Sequence, residues 1–363
     1  MKRHLRMNGS LRLQALALML TMTGSWMLLR QSQLREEGRA ERETASRERG
    51  RAAEVPEAIP ARGLRDVLWR VVREVSNDRV MLIAAGVTFY LLLATFPALG
   101  ALVSLYGLIA DPRTMADHLN TMAGLLPPGS FEIVAGQVRS LAESRDSALG
   151  IAFFTGLIVA LWSTRNGVLA IFDAMNVAYD EDEKRGFIKL NLIGLGFTLC
   201  AIIGLAALIG LIAVLPAVLA YVWLDRFHEQ LLLVLRWPVL IAVVFCAVMA
   251  IYRYGPSRRP ARLRWLTWGA ALTTVAWLAM SIGFSFYLGH FADYNATYGA
   301  LGALIGLLVW TWLSVGILIV GAELNAELEH QTARDTTTGL PRPIGTRGAF
   351  VADTIGETAD SKG

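Results

Sequence analysis

The chain has 363 residues, of which 54% are apolar and only 18% charged, and its mean hydropathy is +0.46. The apolar residues come in long blocks, which excludes an ordinary soluble fold and makes the lipid bilayer the expected solvent and partner. The formal net charge of +4 conceals an asymmetry, because the arginines gather in the tails and in alternate loops.

In chain order, Leu11 to Leu29 is an apolar run behind Lys2, Arg3 and Arg6. It resembles a signal peptide or an extra anchor but has no A-x-A-like cleavage site. Cleavage there would force the Arg-rich stretch from Arg30 to Arg79 across the membrane, so the run reads as a dispensable extension or an overextended start. Residues 30–60, rich in Arg and Glu and carrying Pro56 and Pro60, read as a disordered cytoplasmic tail that completes an N-terminal extension over 1–60. Residues 64–75 follow as an amphipathic helix. Val67, Leu68, Val71, Val72 and Val75 form its apolar face, and Arg65, Asp66, Arg70, Arg73 and Glu74 lie opposite. Such a helix lies on the membrane surface or packs on the ends of the spans.

Six apolar segments then reach the roughly 20 residues that a bilayer crossing requires. They run from Val80 to Ala110, Ala148 to Leu169, Leu190 to Trp223, Leu231 to Tyr252, Trp265 to Phe291 and Gly299 to Ala322. The first and third are long for one crossing and hold Pro97 and Pro216, which favour a kink or break. The fold class is therefore all-α, a polytopic bundle of six transmembrane helices occupying 61–330, followed by a disordered cytoplasmic tail over 331–363.

Orientation follows from the basic residues. Arg62, Arg65, Arg70, Arg73 and Arg79 precede the first span, Lys184, Arg185 and Lys189 separate the second from the third, and Arg253, Arg258, Arg259, Arg262 and Arg264 separate the fourth from the fifth. By the positive-inside rule these regions and both termini are cytoplasmic, in a cell (inner) membrane, with anionic lipid a possible partner of the basic face. The outer segment 111–147, with its Pro127-Pro128 break, repeats Phe131, Val134, Val138 and Leu141 at helical spacing, as a cap on the outer end.

Cys200 and Cys246 lie inside apolar runs and act as small hydrophobes, and the five histidines have no metal-ligand spacing. No metal, cofactor or nucleic-acid partner is expected, and nothing in the pattern supports an enzyme.

Polar residues at membrane depth are the functional candidates. Arg165, Asn166, Asp173 and Asn176 share a stripe about a third of the helix circumference wide at the cytoplasmic end of the second span. Arg165 is expected either to pair with Asp173 or an acid on a neighbouring helix, or to snorkel to the surface. The sixth span ends in GAELNAELE, with Glu323 and Glu327 one turn apart. Acids at a helix C-terminus oppose the macrodipole, so they call for an outside cation or donor or form a solvated boundary. Asp78, before the first span, is a further candidate. Gly299, Gly302 and Gly306 share a face for close helix packing. Tyr287, Tyr294 and Tyr298, with Asp293 and Asn295 beside them, read as an aromatic belt.

Two stretches carry a family resemblance. The run YNATYGALGALIGLLVWTWLSVGILIVGAELNAELE, Tyr294 to Glu329, resembles the C-terminal signature of YihY/virulence factor BrkB membrane proteins. AAGVTFYLLLATFPAL, Ala84 to Leu99, is similar to that family's first span, and the LLPP at Leu125 and Asn176 also fit. The resemblance spans roughly residues 65–330 and implies a six-span inner-membrane bundle. Members have carried the label ribonuclease BN, for which this sequence offers no metal-nuclease cluster. A transporter or lipid-handling protein is the preferred expectation, a non-catalytic scaffold binding anionic lipid or a protein the alternative, and a ribonuclease the last.

Overall fold

The computed structural model describes residues 26–27, 30–31, 33, 35, 44–107, 149–209, 226–290 and 300–362. The apolar run at 11–25, the outer segment 111–147, Pro216, Asp293 to Tyr298 and Gly299 lie outside the described residues. Among the described residues the fold is all-helical, with one isolated antiparallel bridge between Ala261 and Thr337.

A single 3-10 turn, Pro56–Ala58, leads into α1 (Ala61–Asn77), and the long helices follow as α2 (Val80–Gly107), α3 (Leu149–Ala178), α4 (Phe187–Ile209), α5 (Arg226–Tyr254), α6 (Leu263–His290) and α7 (Ala300–His330). A short helix, α8 (Phe350–Asp353), lies in the C-terminal segment. Four of these contain stretches long and apolar enough to cross a membrane: Phe187–Ala207, Trp237–Tyr254, Leu263–Leu288 and Leu304–His330. The pair α1 and α2, bent by 59° at its break, makes a fifth. Contrary to the expected break, α2 runs unbroken through Pro97.

The core lies toward one end of the bundle, where α7 packs against α2, α3 and α6. Val80, Ala84, Met175, Tyr252, Leu266 and Ile319 are buried there. Farther along the same helices, large apolar side chains such as Phe89, Leu93, Ile158, Leu192, Val275 and Ile282 stand exposed. An apolar girdle of that size is stable only when lipid covers it.

The tightest helix approach is between α6 and α7 at Gly269 and Gly321. A Cβ on Gly321 would collide with the hydroxyls of Thr273 and Tyr252, and one on Gly269 with the Gly321 carbonyl and the Asn325 amide. Around this contact Tyr252 Oη, 2.6 Å from Thr273 Oγ1, donates to the Leu318 carbonyl at 2.8 Å, and Asn325 Oδ1 accepts the Gly269 N–H at 2.8 Å. The expected packing glycines play a milder part. Gly302 and Gly306 are buried, but a methyl on Gly306 would meet only Leu288, at an ordinary 3.8 Å.

The polar end is a folded cap, which corrects two expectations of disorder. Within the N-terminal segment, Arg51 donates to the carbonyls of Gln331 at 3.2 Å and Gly356 at 2.6 Å, and its own carbonyl accepts the Ala333 N–H at 2.8 Å. In the C-terminal segment the Arg347 guanidinium, 4% exposed, gathers the carbonyls of Ala333, Arg334, Arg342 and Ala352. Asp353 accepts backbone N–H groups from Gly345, Arg347 and Gly348, and these bonds outweigh desolvation and hold its carboxyl below its ordinary value. The charges that make these segments look disordered are consumed internally, arginine on backbone carbonyls and aspartate on amides.

Helix α1 divides its faces by more than polarity. Asp66 and Arg70, at 2% and 1% exposure, face inward with Val67 and Val71, whereas Leu68 at 59% and Val72 at 72% face out with Leu64. The residue types were grouped by polarity alone. The inner charges have partners, so the apolar stripe is free to face the surroundings.

Candidate functional site

The last two turns of α7 are buried on every side, which is unusual for a sequence as polar as GAELNAELEHQ. Glu323, Asn325, Glu327, Glu329 and Gln331 are each at most 5% exposed. Such a helix end survives only where each acid has its own partner, and three different partners are present.

Glu327 pairs with Arg70 of α1 through a direct ion pair. Arg70 further donates to the Glu327 carbonyl at 3.0 Å, to Gln331 Oε1 at 2.8 Å and to the Glu357 carbonyl at 2.8 Å. His330 Nδ1 stands 3.7 Å from Glu327, and its Nε2 meets Thr354 Oγ1 at 2.9 Å. Glu329 receives Arg258 from the α5–α6 loop at 2.7 Å and the Thr336 hydroxyl at 2.7 Å. Arg258 in turn stacks over the fully buried ring of Tyr179 at 4.7 Å.

Glu323 differs from both. Asp78, the residue that caps α1, is close enough to add its field to it. Its Oε1 atom is buried without a hydrogen-bond partner. Among the described residues, the two non-glycine positions with left-handed backbone, Arg79 and Asp180, both at φ +51°, lie near these acids: Arg79 follows Asp78, and Asp180 is close enough to add its field to Glu323. Strained backbone conformations of this kind gather at functional sites, because the surrounding structure must hold them.

The remaining sequence candidates are distributed elsewhere. Arg165 is buried, with no acid beside it among the described residues. It donates to Asn191 of α4 and, at 2.9 Å, to Asn166, and it lies 3.9 Å over the Trp162 ring. The expected Arg165 and Asp173 pair is not formed, because Asp173 is on the exposed side of α3 in the field of Arg185 and Glu183. Asn176 accepts the Ser257 N–H at 2.7 Å and donates to Glu183 at 3.2 Å, tying the α3–α4 loop to the α5–α6 loop. The stripe on α3 thus serves three separate places, and within it only Arg165 and Asn166 share a hydrogen bond.

Arg185 completes the loop junction, donating to Glu183 at 2.6 Å and to the Gly255 carbonyl at 2.7 Å. Burial raises the Glu183 carboxyl, but hydrogen bonds from the Arg185 side chain and backbone bring it down to about 2. A carboxyl depressed in the fold contributes stability that is present above its unfolded value and lost as pH falls toward the folded one. Arg185→Ala is therefore expected to lower the melting temperature at neutral pH, with the difference from wild type shrinking on acidification. Melting curves across that range check it, and a difference that grows toward acid pH contradicts it.

Sequence reasoning missed Arg70, Arg258, Glu329 and His330 as partners. The signal was present in the acids set against the α7 dipole, which require cations. The cations were in view only as markers of orientation. Among the described residues no group of three or more His, Cys, Asp or Glu side chains is placed to hold a metal ion.

Comparison with known proteins adds the lineage. The model of the family described as Virulence factor BrkB matches residues 71–344. A Bacillus subtilis protein named ribonuclease-like protein YfkH is 30% identical over 257 residues, covering 68% of this chain and 90% of its own. A UPF0761 membrane protein of Vibrio campbellii is 26% identical over 269 residues, covering 71% and 80%. A UPF0761 membrane protein of Xanthomonas campestris is 40% identical over 88 residues, 24% of this chain and 20% of its own length. No solved structure matches.

Proposed function

Because the chain belongs to the virulence factor BrkB family of membrane proteins, we propose that it moves a solute or a lipid through the inner membrane, using α2 to α7 as six spans with both termini cytoplasmic. The positive-inside pattern supports that orientation, since the cap at the polar end holds the basic loops around Arg185 and Arg258.

The observation that carries the transport reading is Glu323. An ionisable side chain 2% exposed, with one oxygen unpartnered and Asp78 acting on it from a bent helix junction, is costly to keep. Burial of that kind marks pathways and coupling sites in transport proteins, and broken helices place them near substrates. Arg165, on the neighbouring helix, supplies a buried cation without an acid partner, suited to an anionic group.

The test is reconstitution into proteoliposomes, reading lipid scrambling and ion flux. Wild type is expected to exceed empty vesicles, and Glu323→Ala and Arg165→Ala to fall at least tenfold at equal reconstitution. Activity no higher than empty vesicles across the lipid and ion panel contradicts the proposal.

A second reading, a scaffold on anionic lipid, is favoured by the outward face of α1. Leu64, Leu68, Trp69 and Val72 line an open apolar groove there, and exposed Arg62 and Arg65 flank it. Under this reading Leu68→Glu abolishes recruitment while proteoliposomes show no flux. The ribonuclease name of the Bacillus relative suggests a third activity, which ranks last. Metal-dependent RNA cleavage by the purified protein, lost in a site variant, is what would raise it.

A further inference from the structure

We propose that Arg165 and Asn166 form a binding site for the oxyanion of a phosphate group, open to the lipid-facing side of the seam between α3 and α4.

The arrangement around Arg165 lacks one partner. A guanidinium is charged at every accessible pH, so one that is 8% exposed calls for an anion. Its partners among the described residues are neutral. Asn191 Oδ1 accepts from Nη1, Asn166 Oδ1 accepts from Nη2 at 2.9 Å, and the centroid of the Trp162 ring lies 3.9 Å from Cζ. Nε has no hydrogen-bond partner, and Nη2, on the same edge of the fork, keeps a second N–H. Two adjacent N–H groups on one guanidinium edge match the oxygens of a phosphate. Asn166 has turned its oxygen to Arg165, so its own amide N–H groups stand beside the fork as further donors.

The fork is held in place before any ligand arrives. Asn191 donates to the Phe187 carbonyl at 2.6 Å, which fixes its oxygen toward Arg165. The arginine stem is clamped where α4 approaches at Gly194, since a Cβ there would stand 3.1 Å from Arg165 Cγ and 2.9 Å from Leu169 Cδ2. Binding then pays little ordering entropy.

The level of the site favours phosphate. Asn191 is one turn into α4 from Phe187, about 6 Å along the axis at 1.5 Å per residue, where the apolar stretch Phe187–Ala207 begins. Headgroup phosphates lie at such a boundary, and basic pockets between spanning helices take them. Trp162, 46% exposed, and exposed Asn166 open the site on α3, and exposed Phe187, Ile188 and Leu192 of α4 offer contact for acyl chains. A soluble phosphate would use the same donors. That the bound compound is what the protein moves rests on the transport reading above. Its binding does not.

Thermal melting of the delipidated full-length protein in detergent tests the site. Inorganic phosphate is titrated against sodium chloride at matched ionic strength in one arm, and phosphatidylglycerol in mixed micelles in the other. Wild type is expected to gain a saturable rise in melting temperature from at least one source. Arg165→Gln and Asn166→Asp are each expected to need at least tenfold more of it, the second because its new carboxylate occupies the fork while leaving the buried arginine paired. Arg264→Gln, which removes a charge from an exposed position on α6, is expected to respond as wild type does. A rise from phosphatidylglycerol alone supports the site and assigns it to a lipid headgroup, one from inorganic phosphate alone assigns it to a soluble phosphate, and one from both to the phosphate group itself. No saturable rise from either source overturns the proposal. So does a rise of the same size and midpoint in wild type, Arg165→Gln and Asn166→Asp. Binding without flux in proteoliposomes leaves the phosphate site standing and sinks transport. Flux without binding does the reverse.

Discussion

Arg70→Ala is expected to destabilise the protein by about 3–5 kcal/mol, the cost of stranding a buried charge. Arg70 is 1% exposed and joins three chain segments: its own helix, Glu327 and Gln331 at the end of α7, and the Glu357 carbonyl of the C-terminal segment. The glycine at 356 lies flat against the guanidinium, where a methyl would stand 2.6 Å from Nε. Removing the arginine leaves Glu327 with His330 alone at 3.7 Å. Glu327→Ala is expected to cost a similar amount. The double variant Arg70→Met with Glu327→Leu is expected to recover much of the loss, since two apolar side chains leave no unpaired charge. Thermal melts of the detergent-solubilised variants measure this. Additive losses in the double variant would show that the pair is not a coupled unit.

Gly321→Leu is expected to prevent correct assembly of α6 on α7. Even the Cβ of an alanine would collide with Thr273 Oγ1 and Tyr252 Oη and come within 2.9 Å of the Gly269 carbonyl. Overpacking of this kind costs about 1–3 kcal/mol for a few added methylenes, and here backbone stands on one side, so relief requires the helices to part. Gly321→Ala is expected to fall at the lower end of that range. Gly86→Ala, where nothing lies within 4 Å of the added methyl, is the control and is expected to be neutral or slightly stabilising. Melting temperature and the monodisperse fraction on size exclusion check all three. An unchanged Gly321→Leu contradicts the packing described.

What was legible in the sequence divides along physical lines. Segments such as Leu304–His330 announce themselves because lipid demands an uninterrupted apolar length, a property each segment carries alone. The resemblance carried by Tyr294 to Glu329 and Ala84 to Leu99 was legible for the same reason, and the family match over 71–344 agrees with it. Arg165 was singled out as an ionisable group needing company, but its partner Asn191 lies on another helix, and a polar amide in an apolar run draws no notice. The orientation of α1 was not legible, because periodicity sorts polar from apolar without saying which face is inward. That depended on Glu327 and Arg49, 257 and 17 residues away from their partners Arg70 and Asp66. The C-terminal segment was taken as a disordered tail. Its order comes from Arg347 and Asp353 satisfying the backbone around them, an arrangement that exists only once the chain has closed.

The central claim is the proposal that the N-terminal segment around Arg51 and the C-terminal segment, which meet at one polar end, lie on the cytoplasmic side of the membrane. Single cysteines at exposed Glu54, Lys184 and Leu340, introduced into a Cys200→Ala, Cys246→Ala background, test it with a membrane-impermeant maleimide. An even number of spans between each pair of positions requires all three to lie on one side. All three are predicted to react in inside-out vesicles and to stay unlabelled in intact spheroplasts. Labelling of any one of them in intact spheroplasts would contradict the account.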